Sequence, residues 1–241
     1  MEEISVLICI QARTNSTRFP QKIYQSLGKK MVLQHVVDEA LSSKLYIERL
    51  KHVPPIKCQV LVLHPENDIQ LTTTFKNCGA MLVCGSEKDV LSRFIKAQQL
   101  FKADYVVRLT SDCPLVLDFM ISKHISVAVY NNYDYVSNVD EEVRTVFDGM
   151  DVEIMSNNAL KYLAENVTSD LDKEHVTTLL RKNMPKSLKL GFIYSKLDSS
   201  DMKLSLDTPE DLEQIRAYFH KKEHKNALAF KKYGKKGVHA V

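Results

Sequence analysis

Residues 4–22, ISVLICIQARTNSTRFPQK, run an apolar, β-branched segment straight into a polar, cationic loop. Positions 6–10 lack the polar alternation of a half-exposed strand, which marks a strand covered on both faces. The residues that follow carry Arg13, Arg18 and Lys22 among small hydroxyl and amide side chains. A strand buried on both faces belongs in a parallel sheet, and such sheets receive ligands beyond the carboxyl ends of their strands. A loop there is suited to an anion, because backbone N–H groups point outward and the cations add charge. Pro20 stiffens the approach to Lys22. The pattern is neither GxxxxGK[ST] nor GxGxxG, which disfavours an ATPase phosphate loop and a dinucleotide fingerprint. On charge alone, a solvated basic loop accounts for the same residues.

The alternation continues downstream. CQVLVL at 58–63, AMLVC at 80–84 and YVVRL at 105–109 read as further buried strands. Helical period appears at 31–41, with Leu33, Val36, Val37, Ala40 and Leu41 on one stripe, at 65–75, and at 87–101, where Ser86 is placed to cap. Strands alternating with helices predict an α/β fold, a three-layer sandwich with a mostly parallel central sheet. Beyond residue 133 the pattern changes. Short strands at 133–138 and 152–155 flank an irregular loop, helices follow at 157–165 and 173–182, strands at 189–194 and 203–206, and a helix at 209–220. Strands without crossover helices predict a small antiparallel insertion at about 133–195 within a single domain of residues 1–220. Residues 221–241 read as a basic, lysine-rich tail.

Composition narrows the function. With 33 basic and 30 acidic residues the chain is near charge balance, which argues against a nucleic-acid partner. The 241 residues, 44% hydrophobic, suffice for a sizeable core. The five cysteines form no CxxC pair and sit in or beside apolar runs, as reduced core thiols do. No apolar run is long enough for a membrane helix, and Met1-Glu2-Glu3 lacks the positive start of a signal peptide. The expectation is a cytoplasmic protein without membrane insertion.

Two further stretches carry candidate chemistry. In RLTSDCPLV, residues 108–116, Asp112 follows a strand and falls at its carboxyl end, a position suited to Mg²⁺ or to capping a turn. In LSLDTPEDLE, residues 204–213, helix capping explains Thr208, Pro209, Glu210 and Asp211 but does not require Asp207 to be acidic, which leaves Asp207 for a metal. Asp148, Asp151 and Glu153 crowd one loop and strand, suited to acceptor hydroxyls or a second metal ion, although turn chemistry explains Asp148-Gly149 alone. Arg144 is placed to face an anionic acceptor, and His175 reads equally as a surface histidine.

Taken in order, IQARTNSTRFPQKI, CGSEKDVLSRF, VVRLTSDCPLV, DYVSN, DGMDVEIMSNNAL, EHVTTLLRKN and LSLDTPEDLE resemble the acylneuraminate/Kdo-type cytidylyltransferases, in the branch of the spore coat polysaccharide biosynthesis protein F. The resemblance covers about residues 4–217. It implies a nucleotide-diphospho-sugar transferase-like fold and transfer of CMP from CTP to a sugar or sugar-like acceptor, with Mg²⁺ and release of pyrophosphate, in surface polysaccharide or glycoconjugate synthesis. It implies a catalytic set of Arg13, Lys22, Asp112 and Asp207. Arg13 and Lys22 would hold the β- and γ-phosphates with Arg18 assisting, and Asp112 and Asp207 would bind metal. Gln11, Ala12, Asn15, Ser16, Ser86 and Ser111 join the nucleotide contacts; Arg144, Asp148, Asp151, Glu153 and His175 line the acceptor side. A homodimer through the middle segment is implied as well.

Nucleotidyl transfer asks little covalent chemistry of a protein, so a cation-rich loop and two carboxylates at strand ends are adequate equipment. The chain departs from the family pattern at Asn15 and Gln21, where glycine is usual, at Ser111, where glycine is also usual, and at Cys84, where arginine is common. Two other readings remain. One is a nucleotide-sugar-dependent glycosyltransferase, though Asp148-Gly149-Met150-Asp151 is spaced one residue too far for a DxD metal motif. The other is a non-catalytic nucleotide-binding relative.

Overall fold

The computed structural model describes residues 2–50, 54–183, 185–196 and 198–233, with side chains of the final helix described as far as residue 221. The chain begins with β1 (Ile4–Gln11), whose register decides the two cores. Val6, Ile8 and Ile10 face one side of the sheet and Leu7 and Cys9 the other, all fully buried. After the cationic loop, a 3₁₀ turn (Lys22–Tyr24) leads to a small hairpin, β2 (Ser26–Leu27) and β3 (Lys30–Met31). Helix α1 (Val32–Arg49) follows, then β4 (Ile56–Pro65), α2 (Ile69–Phe75), β5 (Met81–Gly85), α3 (Val90–Phe101) and β6 (Tyr105–Thr110). These strands are parallel, in the order β5-β4-β1-β6.

Helix α4 (Asp118–Asn131) was not legible in the sequence. It buries one stripe, Ile121, Ile125, Ala128 and Val129, in the first core beside Leu33, Val36 and Val37 of α1, but Phe119 and Tyr130 stand exposed and blur the period. The second core sets Val90, Leu91, Phe94 and Ala97 of α3 against the opposite sheet face. Helices on both faces make the expected three layers.

The remaining strands extend the sheet beyond β6 as β8-β7-β9, with β7 (Tyr135–Ser137), β8 (Glu153–Ser156) and β9 (Leu190–Phe192). Strand β8 is antiparallel to both β6 and β7, as expected, whereas β9 lies parallel to β7. Helix α5 (Asn157–Asn166) starts on a Ser156 cap and packs on the second core. The single helix expected at 173–182 is two, α6 (Asp170–His175) and α7 (Thr178–Asn183), because Val176 adopts φ 61° and sinks fully into the core. Residues 203–206 form one parallel bridge, Asp148 with Lys203, instead of a strand. Helix α8 runs Pro209–Tyr233, past the expected end near 220. Residues 234–241 of the predicted tail and residues 51–53, between α1 and β4, lie outside the described residues.

A third, smaller core joins distant parts of the chain. Leu27 and Val32 meet Leu115, Phe147, Leu204, Leu206, Leu212 and Ile215. This packing brings residues 203–207 to the carboxyl ends of β1 and β6.

Candidate active site

The cationic loop is a built structure. Asp68, the cap of α2, accepts from the Thr14 backbone N–H at 2.8 Å and from Thr14 Oγ1 at 2.5 Å. Gln21 N–H donates to Thr14 C=O at 3.0 Å and closes the loop. Gln21 itself takes a left-handed conformation, φ 59° and ψ 24°. The glycine substitution that requires this backbone is therefore at Gln21, while Asn15 needs no positive φ.

Lys22 is buried and its Nζ is the hub of the site. It donates to Asp112 at 2.6 Å, to Leu206 C=O at 2.7 Å and to Asp207 at 3.3 Å. Burial works to raise the Asp112 carboxyl, but the Lys22 charge and its hydrogen bond outweigh it and leave the pKa below the usual carboxylate range. The two aspartates come together although they are far apart in sequence. Leu206 N–H donates to Asp112 C=O at 2.8 Å, and Asp211 accepts from the backbone N–H groups of Asp207 and Thr208, both at 2.9 Å. Thr208 Oγ1 accepts in turn from Asp211 N–H, the capping arrangement expected there.

Around this hub lies a cleft of about 370 Å³ at the carboxyl ends of β1 and β6. Of the nucleotide-site residues read from sequence, Gln11, Ala12, Arg13, Ser16, Arg18, Lys22 and Ser111 line it, with Asp112 and Asp207; His175 lines it too, exposed. Arg13 pairs with Glu174 at 3.0 Å and Arg18 with Asp207 at 2.9 Å. Asn15 lies outside it, in a neighbouring hollow of about 220 Å³ bounded by Asn67 and Asp68. Ser86 also lies outside; its hydroxyl accepts from Asp89 N–H, and Asp89 is the residue that caps α3.

The expected acceptor residues divide differently. Glu153 is buried and held by Arg108 at 2.6 Å, Arg181 at 3.1 Å and Tyr135 Oη at 2.7 Å. Burial works to raise its pKa, and the two guanidinium groups bring it below the usual range instead. Glu153 thus fixes Arg108 and has no face toward the cleft. Arg144 staples its own loop, donating to Val146 C=O, Phe147 C=O and Asp151. Asp148 accepts from Ser205 at 3.0 Å. Burial raises the Asp151 carboxyl to about 6, with Arg144 opposing and Asp148 and Glu153 adding repulsion.

The sequence reading missed Thr17, Arg93, Arg108, Thr110 and Glu174, all on the cleft wall. Arg108 had a signal, an arginine in the last turn of a buried strand. Glu174 had one only through its neighbour His175.

The order of elements and the site agree with one family. A profile described as Cytidylyltransferase matches residues 7–235. The chain belongs to the cytidylyltransferase family. This cytidylyltransferase is 29% identical over 223 residues to the spore coat polysaccharide biosynthesis protein SpsF of Bacillus subtilis strain 168, covering 90% of this chain and 87% of that one. A solved cytidylyltransferase from Leptospira borgpetersenii matches with a TM-score of 0.76 at 24% identity, over 98% of this chain and all of the other. CMP:2-keto-3-deoxy-manno-octonic acid synthetase, solved with CTP, matches at 0.65 and 15%, over 90% of this chain and 99% of its own. The cytidylyltransferase is thus a nucleotidyltransferase in fold and family, which removes the glycosyltransferase reading.

Proposed function

We propose that this cytidylyltransferase transfers CMP from CTP to a sugar or sugar-like acceptor in the cytoplasm, feeding polysaccharide or glycoconjugate synthesis. The observation that carries the reading is the Lys22 ammonium seated between Asp112 and Asp207 at the floor of an arginine-lined cleft. Two carboxylates already sharing one cation are a donor set that fits Mg²⁺, whose remaining positions go to phosphates and water. When bound, the ion would neutralise charge on the phosphates and leaving group.

The chain's own residues do the rest. Arg13 and Lys22, with Arg18 at the rim, hold the triphosphate and fix its α-phosphorus for in-line attack. The acceptor oxygen bonds to that phosphorus, the bond to the β-phosphate bridging oxygen breaks, and pyrophosphate leaves with the electron pair. A hydroxyl acceptor releases its proton to water. Ser111, tethered through its N–H to Gln11 C=O at 3.1 Å, keeps the two strand ends in register beneath the nucleotide. Exposed His175, on the cleft wall, serves acceptor contacts, while half-buried Asp148 shares its carboxylate with Ser205 and Arg144; free thiols, four of the five buried, suit a reducing compartment.

The test is pyrophosphate release with each of the four ribonucleoside triphosphates and a panel of nonulosonic acids, sugars and phosphonates. The expected result is Mg²⁺-dependent release with CTP, lost in Asp112→Asn and Asp207→Asn. Full activity in either variant would remove the metal role of that residue.

A further inference from the structure

The cleft's cations are paired with carboxylates, with one exception. Arg13 has Glu174, Arg18 has Asp207, Lys22 has both aspartates and Arg108 has Glu153. Arg93, on α3, forms no ion pair among the described residues, although it is only 2% exposed and lines the cleft wall. Its Nη1 donates to Leu63 C=O at 3.0 Å and Ala12 C=O at 3.3 Å, and its Nε is buried without a partner. Glu87 and Asp89 act on it only beyond ion-pair distance. Burial and then repulsion from Arg13 pull its pKa down to about 10, so two guanidinium groups press on the same space.

The fold makes room for this side chain. A Cβ at Gly85 would fall 2.8 Å from Arg93 Cγ, so the glycine at the end of β5 is the slot through which the arginine reaches the strand ends. A strut tying β1 to β4 needs only a neutral donor for two carbonyl oxygens. A buried guanidinium without a carboxylate costs several kcal/mol more unless something anionic completes its surroundings. The missing partner is on the cleft side, where Arg13 already concentrates positive charge.

We propose that Arg93 is an anion-binding residue of the cleft, taking a phosphate oxygen of the bound nucleotide and of the pyrophosphate it releases. The proposal rests on the CTP reading of the site for its natural ligand, and on geometry for the anion itself. A guanidinium whose Nη1 is fixed by two carbonyls and whose Nε has no partner is preorganised to offer its remaining edge to phosphate, unlike the half-exposed Arg13 and the largely exposed Arg18.

The experiment titrates inorganic pyrophosphate, without metal or nucleotide, into the wild-type chain, Arg93→Met, Arg93→Lys and Gly85→Ala, at two ionic strengths. Melting curves check that each variant is folded. Arg93→Met is expected to lose about tenfold or more in affinity, the range for a lost hydrogen bond to a charged group, and to show a shallower salt dependence. Arg93→Lys, which keeps the charge but not the fork, is expected between the two. Gly85→Ala, which displaces the arginine stem without removing the charge, is expected to weaken binding as well. Wild-type pyrophosphate affinity in Arg93→Met, with only a lower melting temperature, would make Arg93 a strut and overturn the proposal. Should Arg93→Met not fold, Gly85→Ala decides in its place, and wild-type affinity there would overturn the proposal equally. No pyrophosphate binding by the wild-type chain would also overturn it. CTP titrated in parallel separates the two readings: binding of pyrophosphate but not CTP would sink the nucleotide assignment and leave the anion site standing.

Discussion

Lys22 donates to both aspartates of the proposed metal site, so a divalent cation bound there would have to displace it. Lys22→Met is therefore expected to act in opposite directions on two measurements. Turnover should fall by about 10²-fold or more, as for loss of a charge-stabilising donor. Mn²⁺ affinity at pH 8, read by electron paramagnetic resonance, should rise, because the carboxylates lose their resident competitor. Unchanged or weaker Mn²⁺ binding would show that Lys22 does not occupy the metal position. A second residue gives a pH signature. The folded protein holds the Asp151 carboxyl near 6, above its ordinary value. Its contribution to stability is thus fully present below about pH 4 and lost as pH rises through about 6. Asp151→Asn removes that slope. Relative to wild type, the variant should gain about 2 kcal/mol between pH 4.5 and 7.5, because about 1.5 pKa units of the shift lie inside that window at about 1.4 kcal/mol each. Urea titration at both pH values measures it, and a constant difference between the two would refute the assignment. At this scale the places of Arg13 and Asp112 were legible, since a polar residue just past a buried strand has few other places to be; Lys22 lies well beyond β1, and Asp207 was reached through a strand at 203–206 that the fold does not form. Arg93 was not legible. It interrupts the apolar stripe of α3, and only the space at Gly85 shows where it goes. Glu153 was legible as charged but not as buried between two arginines donated by β6 and α7.

Elements whose residues follow one period were readable, and those governed by tertiary contacts were not. Strands β1, β4 and β6 are apolar runs covered on both sides, so their composition alone reveals them; β5, expected to be buried from the same composition, lies at the sheet edge and is only partly covered, with Met81 exposed. The alternating Lys203-Leu204-Ser205-Leu206 also reads as a strand. It pairs only once because its neighbour is the loop around Asp148, and Leu204 and Leu206 instead fill the third core. That loop is held to residues 203–205 by Leu204 N–H to Asp148 C=O at 2.6 Å and by Gly149, at φ 112°. A Cβ at Gly149 would lie 2.6 Å from the Leu204 carbonyl carbon, and the clash is with backbone, which cannot rotate aside. Gly149→Ala is expected to cost about 2 kcal/mol or more, combining left-handed strain with steric displacement. It should also weaken nucleotide binding, because residues 203–206 carry Asp207 to the site. Chemical denaturation and CTP titration of the same variant test both parts. Native stability would mean the loop yields without cost.

Across the whole molecule, the active cleft joins the two ends of the described chain. Its loop follows the first strand, whereas Asp207 precedes the last helix, and they meet through the third core, the bond from Leu206 to Asp112 and the shared Lys22. Topology of this kind is not legible in a sequence. Strand order depends on which edge each crossover takes, and β9 joining β7 in parallel needs the whole insertion to be in place. The consequence is thermodynamic. In the proposed binding mode, a triphosphate held by Arg13 and Lys22, and by Asp207 through a metal, would tie the amino-terminal loop to the carboxyl-terminal helix and bind only when all three are assembled. Ligands specific to the native state stabilise by mass action, about 2.7 kcal/mol at one hundred times the dissociation constant. For a chain of this length each kcal/mol moves the melting temperature by about 2–4 °C, so CTP with Mg²⁺ at that excess should raise it by about 5–10 °C. The same rise should be largely absent in Lys22→Met and Asp207→Asn, whose cleft can no longer bridge the two segments. A CTP-induced rise of equal size in those variants would place the nucleotide elsewhere, on a surface that does not need both ends of the chain.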